Sequence, residues 1–336
     1  MQRIWFILSL ILCWASPSVA GIADGYVRDA GISGHPDVIF ADDFEDSIAS
    51  IQSRYNGWQG NAAETVVSAD VASVSGGEQS VLFQPADSSI AATFYRQLPT
   101  DYDQLFVRYY VKYSGTNYHH TGVYVGGYSD VGSFPQGDAG IKGIRENNER
   151  LLIASLETAP APGTGTRLDT YMNWVDMQGT DVGGQWFGRQ YLQSYAIPIQ
   201  AGTWQCVELM VKLNTTASGH EGELRLWIDG LEVVHFQPGS PTGSHDGSSG
   251  NWTTGGGSPF SGFQWRDVLT YGLNWIKLQN YDTDGTPTTV RFDDLVVATS
   301  YIGPISLTGP GSPGRFSPAL NLRRASLDAQ HDEVVR

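Results

Sequence analysis

Through most of the chain apolar and polar residues alternate in short runs, and Gly, Asn, Asp and Ser fill the gaps between them. A period of two sends successive side chains to opposite faces of an extended backbone, so the pattern predicts half-buried β-strands. The clearest runs are 38–44, 80–84, 91–97, 104–113, 122–128, 151–156, 204–213, 223–228, 231–236, 273–281 and 289–299. Asp229-Gly230, between two of these runs, predicts a two-residue hairpin turn, because both residues accept the positive φ such a turn needs. No helical period persists beyond about three turns. So many strands in one domain predict an all-β fold, a jelly roll of two packed antiparallel sheets, rather than a small barrel.

Two stretches break the pattern. Residues 239–258 are rich in Gly, Ser, Thr and Asn and read as a long surface loop. From 304 onward the chain is rich in Pro, Gly and Ser, then mixed in charge with little apolar content. That composition predicts a disordered tail over 304–336. At the other end, Arg3, the apolar run from Ile4 to Leu12 and the small residues Ser18-Val19-Ala20 form an export signal over 1–20. The expected mature protein is therefore secreted, with one β domain over 21–303.

Strand alternation also sorts the chemistry. In 104–113, Leu105, Val107, Tyr109 and Val111 point one way, while Phe106, Arg108, Tyr110 and Lys112 point the other. In 273–281, Ile276 and Leu278 share one face, and Trp275, Lys277, Gln279 and Tyr281 share the opposite one. Aromatics mixed with cations and amides suit sugars, whose C–H faces stack on rings while their hydroxyls need fixed hydrogen-bond partners. Tyr171, Asn173 and Trp174 form a further cluster of this kind. The expectation is a polysaccharide held on a concave sheet face.

Charge and cysteine content narrow the partners. The formal net charge is −15, which disfavours nucleic acid and anionic membranes, since both call for basic patches. Of the two cysteines, Cys13 lies in the export signal and leaves Cys206 alone, so no internal disulfide is expected. Cys206 reads as a small buried hydrophobe. A monomer is expected, with no organic cofactor.

Several segments resemble one known group. Phe106-Val107-Arg108-Tyr109-Tyr110-Val111-Lys112-Tyr113, followed by Tyr118-His119-His120-Thr121-Gly122-Val123-Tyr124-Val125-Gly126-Gly127, resembles the jelly-roll polysaccharide lyases of the alginate lyase and glucuronan lyase type. Leu226-Trp227-Ile228-Asp229-Gly230 resembles a hairpin of concanavalin A-like domains. Ala41 to Asp46 and Phe292 to Gly303 are similar to the first and last strands of that group. The resemblance implies β-elimination at a uronic acid. It nominates His120 and Tyr281 for proton transfer, with His119 sharing that work or only supporting the turn. Arg108 and Lys277 are nominated for the substrate carboxylate, and Tyr110, Lys112, Tyr171, Asn173, Trp174, Trp275 and Gln279 for sugar contacts. Gln279 stands where such strands carry a small residue.

The same resemblance implies that the two terminal strands lie together and share a structural calcium ion. Asp43, Glu45 and Asp294 are the nominated ligands, since Ca²⁺ favours carboxylate and carbonyl oxygen. A non-catalytic lectin-like module and a glycoside hydrolase on the same fold remain open alternatives. The hydrolase pattern Glu-x-Asp-x-Glu is absent, as are a Gly-x-Ser-x-Gly nucleophile turn, a phosphate loop and a zinc spacing.

Overall fold

The alternating runs pair into two large antiparallel sheets. The computed structural model describes residues 20–60, 64–84, 91–115, 120–130, 140–145, 147–160, 166–281 and 288–309. The eight-stranded sheet runs β13 (Leu231–Phe236), β12 (Glu223–Ile228), β11 (Gln205–Lys212), β6 (Gln104–Tyr113), β18 (Val290–Ala298), β4 (Ser80–Phe83) and β3 (Thr65–Ser68). Its eighth strand, β1 (Val38–Asp42), also pairs with β18. The seven-stranded sheet runs β10 (Ile197–Pro198), β9 (Thr166–Asn173), β8 (Leu151–Pro160), β7 (His120–Tyr128), β17 (Leu273–Tyr281), β5 (Ala91–Tyr102) and β2 (Gly57–Gln59). The chain crosses repeatedly between the sheets: β4 and β6 lie in one, β5 and β7 in the other. This is a β-sandwich of the jelly-roll type.

Period-two alternation builds the core between the sheets. Leu105, Val107, Tyr109 and Val111 of β6 share one apolar cluster with Val123 and Val125 of β7 and with Ile276 and Leu278 of β17. The β12–β13 hairpin closes as the sequence predicts, with Ile228 opposite Leu231 and positive φ at Asp229 (50°) and Gly230 (77°). Cys206 is a buried free thiol.

Some expectations need correction. Residues 239–258 are more than a loop: β14 (Thr242–His245), β15 (Trp252–Thr254) and β16 (Ser258–Pro259) form a three-stranded sheet. Trp252 anchors it, buried against Phe260 and His245. Strand β9 was not expected, because Arg167 and Asp169 give it a solvent-like pattern. They are instead buried as an ion pair, with Arg167 Nη2 2.8 Å from Asp169 Oδ2. The first residues past 304 also belong to the fold: Ile305 is buried with Tyr110 and Cys206, and Ser306 pairs with Val27. Residues 1–19 and 310–336, which hold the export signal and the rest of the expected tail, lie outside the described residues.

Part of the outer face of the eight-stranded sheet is covered by segments around residues 22–32 and 302–305. Ile22, Ala23, Ile32 and Ile302 pack on Phe106, Met210 and Trp227. Glu208 of β11, 2% exposed, ties this cover down: its carboxylate accepts the backbone N–H groups of Ile302 (2.7 Å) and Gly303 (2.8 Å). Burial pushes the Glu208 pKa up to about 7, against the lowering effect of those amides and of Arg108. A raised carboxyl pKa stabilises the fold below the unfolded value near 4.5, and that contribution is lost as pH rises through about 7. At 1.4 kcal/mol per pKa unit the full swing is of order 3 kcal/mol. Glu208→Gln should therefore flatten the fall in stability between pH 4.5 and 7, measured by denaturant titration at several pH values. An unchanged pH slope would show that Glu208 does not titrate in this window.

Candidate functional site

The outer face of the seven-stranded sheet is built differently. Register puts Tyr281 opposite His120, Lys277 opposite Tyr124, and Gln279 opposite Gly122 across the β17–β7 pair. On the other side Gly122 faces Glu157 of β8. Gly122 carries no side chain, so the centre of this patch is free for its neighbours to converge on. A Cβ there would lie 2.0 Å from the Leu156 carbonyl oxygen, so glycine is required.

What converges is a carboxylate and its donors. Glu157 is 1% exposed, and a buried carboxylate must be hydrogen-bonded or paired. Its Oε1 lies 2.9 Å from His120 Nδ1, and its Oε2 accepts the Tyr124 hydroxyl. The Tyr124 oxygen in turn accepts from Gln279 Nε2 at 3.1 Å, and the same amide donates to the His120 carbonyl at 3.0 Å. An ionised carboxylate can only accept, so Nδ1 carries the proton toward Glu157. Burial works to lower the His120 pKa. The charge and hydrogen bond of Glu157 outweigh it, and the net shift is upward from 6.5 despite an opposing effect of Lys277.

Rings frame the imidazole. Tyr281 lies parallel to it at 6.2 Å, and Tyr171 of β9 meets it edge-on at 5.1 Å. Tyr171 is held by Gly188, where a Cβ would come within 2.3 Å of its ring. Burial raises the Tyr171 pKa, aided by the charge of Glu157. Lys277 Nζ sits 4.2 Å from the centroid of the Tyr124 ring, a cation–π contact that holds the ammonium on this face. His120, Tyr124, Glu157, Tyr171, Lys277, Gln279 and Tyr281 thus come together as one patch that combines a carboxylate, an imidazole, three phenols, an ammonium and an amide.

The other nominated residues lie elsewhere. Arg108, Tyr110 and Lys112 face outward as expected, but from β6, which belongs to the opposite sheet. Arg108 is fully buried, ion-paired to Asp29 and donating to the Asp294 carbonyl at 3.1 Å, so it does not share a carboxylate with Lys277. The Tyr110 hydroxyl accepts the Ile305 N–H at 3.0 Å, and Lys112 pairs with Asp70 at 2.7 Å. Trp275 shares the face of Lys277 but is 1% exposed, stacked on Tyr128 and lying over Gly126, so it supports the patch instead of offering an open stacking surface. Trp174 follows the end of β9 and turns into the core against Trp265 and Phe263. Asn173 is buried and donates to the Ile141 carbonyl (3.0 Å) and the Trp186 carbonyl (2.8 Å). Both expected sugar contacts are therefore structural. His119 lies outside the described residues.

The nominated calcium ligands are dispersed in what they bind. Asp294 sits at a register break of β18 against β6, with φ 45°. Burial and charge repulsion raise the pKa values of Asp293 and Asp294. Asp294 Oδ2 is buried without a hydrogen-bond partner, but Glu45 Oε1 already accepts the N–H groups of Glu78 (2.9 Å) and Gln79 (2.6 Å). The Asp43 carboxylate accepts the Glu45 N–H at 3.3 Å. Among the described residues no group of three or more Asp, Glu, His or Cys side chains is arranged to hold a metal ion.

Glu157 and Tyr124 were not singled out from the sequence. The run at 151–156 ends one residue short of Glu157, yet Ile153, Ser155 and Glu157 continue one outward-facing series along β8. That series was the available signal.

No family model and no curated protein matches the chain. Among solved structures it is similar to alginate lyase Aly36B, at 13% identity over 76% of this chain and 91% of that one, with a TM-score of 0.47. It is similar to alginate lyase vAL-1 from Chlorella virus at 9% identity, over 78% of this chain and 100% of that one, with a TM-score of 0.49. It is also similar to the cellulose induced protein Cip1, at 16% identity over 79% and 99% of the two chains, with a TM-score of 0.44. Function has to be read from the side chains themselves.

The network fixes the sign of one measurable shift. Replacing Glu157 by Gln removes the charge that raises the His120 pKa, so Glu157→Gln should lower the His120 midpoint in an NMR titration of the histidine ring protons. A midpoint that stays or rises would mean that Glu157 does not set the proton affinity of His120.

Proposed function

We propose that the protein cleaves a uronate-containing polysaccharide by β-elimination on the outer face of the seven-stranded sheet. The observation that carries this reading is the buried Glu157, hydrogen-bonded to His120 Nδ1, with Tyr281 parallel to the imidazole and Lys277 on the same face.

Elimination makes three demands, and the patch has a group for each. The substrate carboxylate must be neutralised so that the C5 proton becomes acidic; Lys277 is the cation at hand, replacing the expected Arg108. A base must then remove that proton, and neutral His120 is the base of this patch, with Glu157 stabilising the imidazolium that forms. As the C5–H electron pair becomes the C4–C5 double bond, the C4–O4 bond breaks, and O4 needs a proton. The hydroxyl of Tyr281 is the donor suited to that step. Gln279 is spent on Tyr124 and on the His120 carbonyl, which makes it a positioning residue. The chain's net charge of −15 opposes a polyanion at long range, so the local cation has to outweigh the field around it. An exported location, for which the first twenty residues argue, suits a polymer substrate of this kind.

The test is incubation with a panel of polyuronates, followed by ultraviolet absorbance for the conjugated double bond. Wild-type protein should generate the absorbance, and His120→Ala and Tyr281→Phe should each slow it by roughly 10²- to 10⁴-fold. Binding without absorbance would leave a carbohydrate-binding module. New reducing ends without absorbance would mean hydrolysis, and a rate that survives both substitutions would clear these two residues of the chemistry.

A further inference from the structure

Beyond β9 the same face is bordered by two segments that no role above uses. Trp186 donates its backbone N–H to the Gly140 carbonyl at 2.8 Å, and Arg189 exchanges backbone hydrogen bonds with Met172 of β9. The buried Asn173 amide clamps both segments by donating to the Ile141 and Trp186 carbonyls. This border is fixed to the edge of the sheet, and Tyr171 links it to the His120 patch: its ring touches His120 on one side and Gly188 on the other.

Two cations are mounted on it. Lys142 Nζ lies 4.4 Å from the Trp186 ring centroid, and Arg189 Cζ lies 5.2 Å from it. Arg189 spends its donors on the backbone carbonyls of Gln178, Phe187 and Thr180. Neither cation forms an ion pair among the described residues, whereas Arg54, Lys112, Arg145, Arg150, Lys212 and Arg225 each meet a carboxylate. In a chain with 35 acidic residues against 20 basic ones, two neighbouring cations without acidic partners leave a local positive field. Phe187, next to Trp186 in the chain, is 44% exposed, and its backbone carbonyl accepts from Arg189.

We propose that this border is a second subsite for an acidic sugar, in which Lys142, carried on the face of Trp186, takes the carboxylate of a uronate unit. Phe187 offers its ring to the apolar face of the same unit, and Arg189 adds charge while holding the segment in shape. The inference rests on the proposed function for the class of ligand. It adds that the polymer runs from the His120 patch over Tyr171 to the 140–145 and 186–189 segments.

Calorimetric titration of the full chain with a purified uronate oligomer, at several salt concentrations, tests it apart from turnover. Lys142→Gln should weaken binding by about five- to tenfold and make the salt dependence shallower. Arg225→Gln, which removes one positive charge from the opposite sheet, should leave both unchanged. Phe187→Ala should weaken binding without altering the salt dependence. If Lys142→Gln binds as the wild type does with the same salt slope, the subsite is wrong while the proposed function stands. A wild type that binds no acidic oligomer overturns both. Binding that falls in Lys142→Gln while no double bond forms supports the subsite and overturns the elimination.

Discussion

A carboxylate buried on the outer face of a sheet must find donors or be pushed to its neutral form, and Glu208 and Glu157 meet that demand differently on the two large sheets. Uncompensated burial of such a charge costs several kcal/mol, so the donors are not optional. On the eight-stranded sheet Glu208 is satisfied by the backbone amides of Ile302 and Gly303. Backbone amides are fixed donors, and recruiting them holds the 302–303 segment against the sheet. The Arg108–Asp29 ion pair adds to that cover, which lies over the middle of the face. On the seven-stranded sheet Glu157 is satisfied instead by two side chains, His120 and Tyr124. Those donors carry exchangeable protons, and among the described residues no segment like 21–35 or 301–306 packs over them. One constraint closes one face and arms the other.

The shape of the armed face depends on where side chains are missing. Gly122 leaves the centre of the patch open, Gly126 lets Trp275 lie down against the sheet, and Gly188 lets the backbone press on Tyr171. At Gly126 a Cβ would come within 2.1 Å of the Trp275 ring, so an alanine there would tilt the indole. Trp275 then supports its neighbours in β17, Lys277 among them. Aromatic bulk and glycine gaps together position a polar network that hydrogen bonds alone would leave loose.

Much of the fold was legible from alternation alone. The bounds of β6, β12, β13 and β17 match the runs read from the sequence, and the Asp229-Gly230 turn closes where its φ preferences place it. Alternation also gave the correct division of β6 and β17 into inward and outward residues. What it does not encode is which sheet a strand joins, because period two describes a strand's faces and not its partners. Arg108 and Lys277 therefore looked like neighbours when a whole sandwich separates them. The other misses have local causes. Arg167 and Asp169 neutralise each other inside β9 and mimic a solvated segment. Trp174 lies one residue past the strand, where the chain turns into the core. The Gly-rich 239–258 stretch holds a small sheet because one indole, Trp252, gives it something to fold around.

The central claim is that the outer face of the seven-stranded sheet, and not that of the eight-stranded sheet, receives the polymer. Hydrogen exchange of the full chain with and without a uronate oligomer tests this most directly. Slowed exchange should be confined to β7, β8, β9, β17 and the 140–145 and 186–189 segments. Protection concentrated instead on β6, on residues 21–35 or on residues 301–309 would contradict the account.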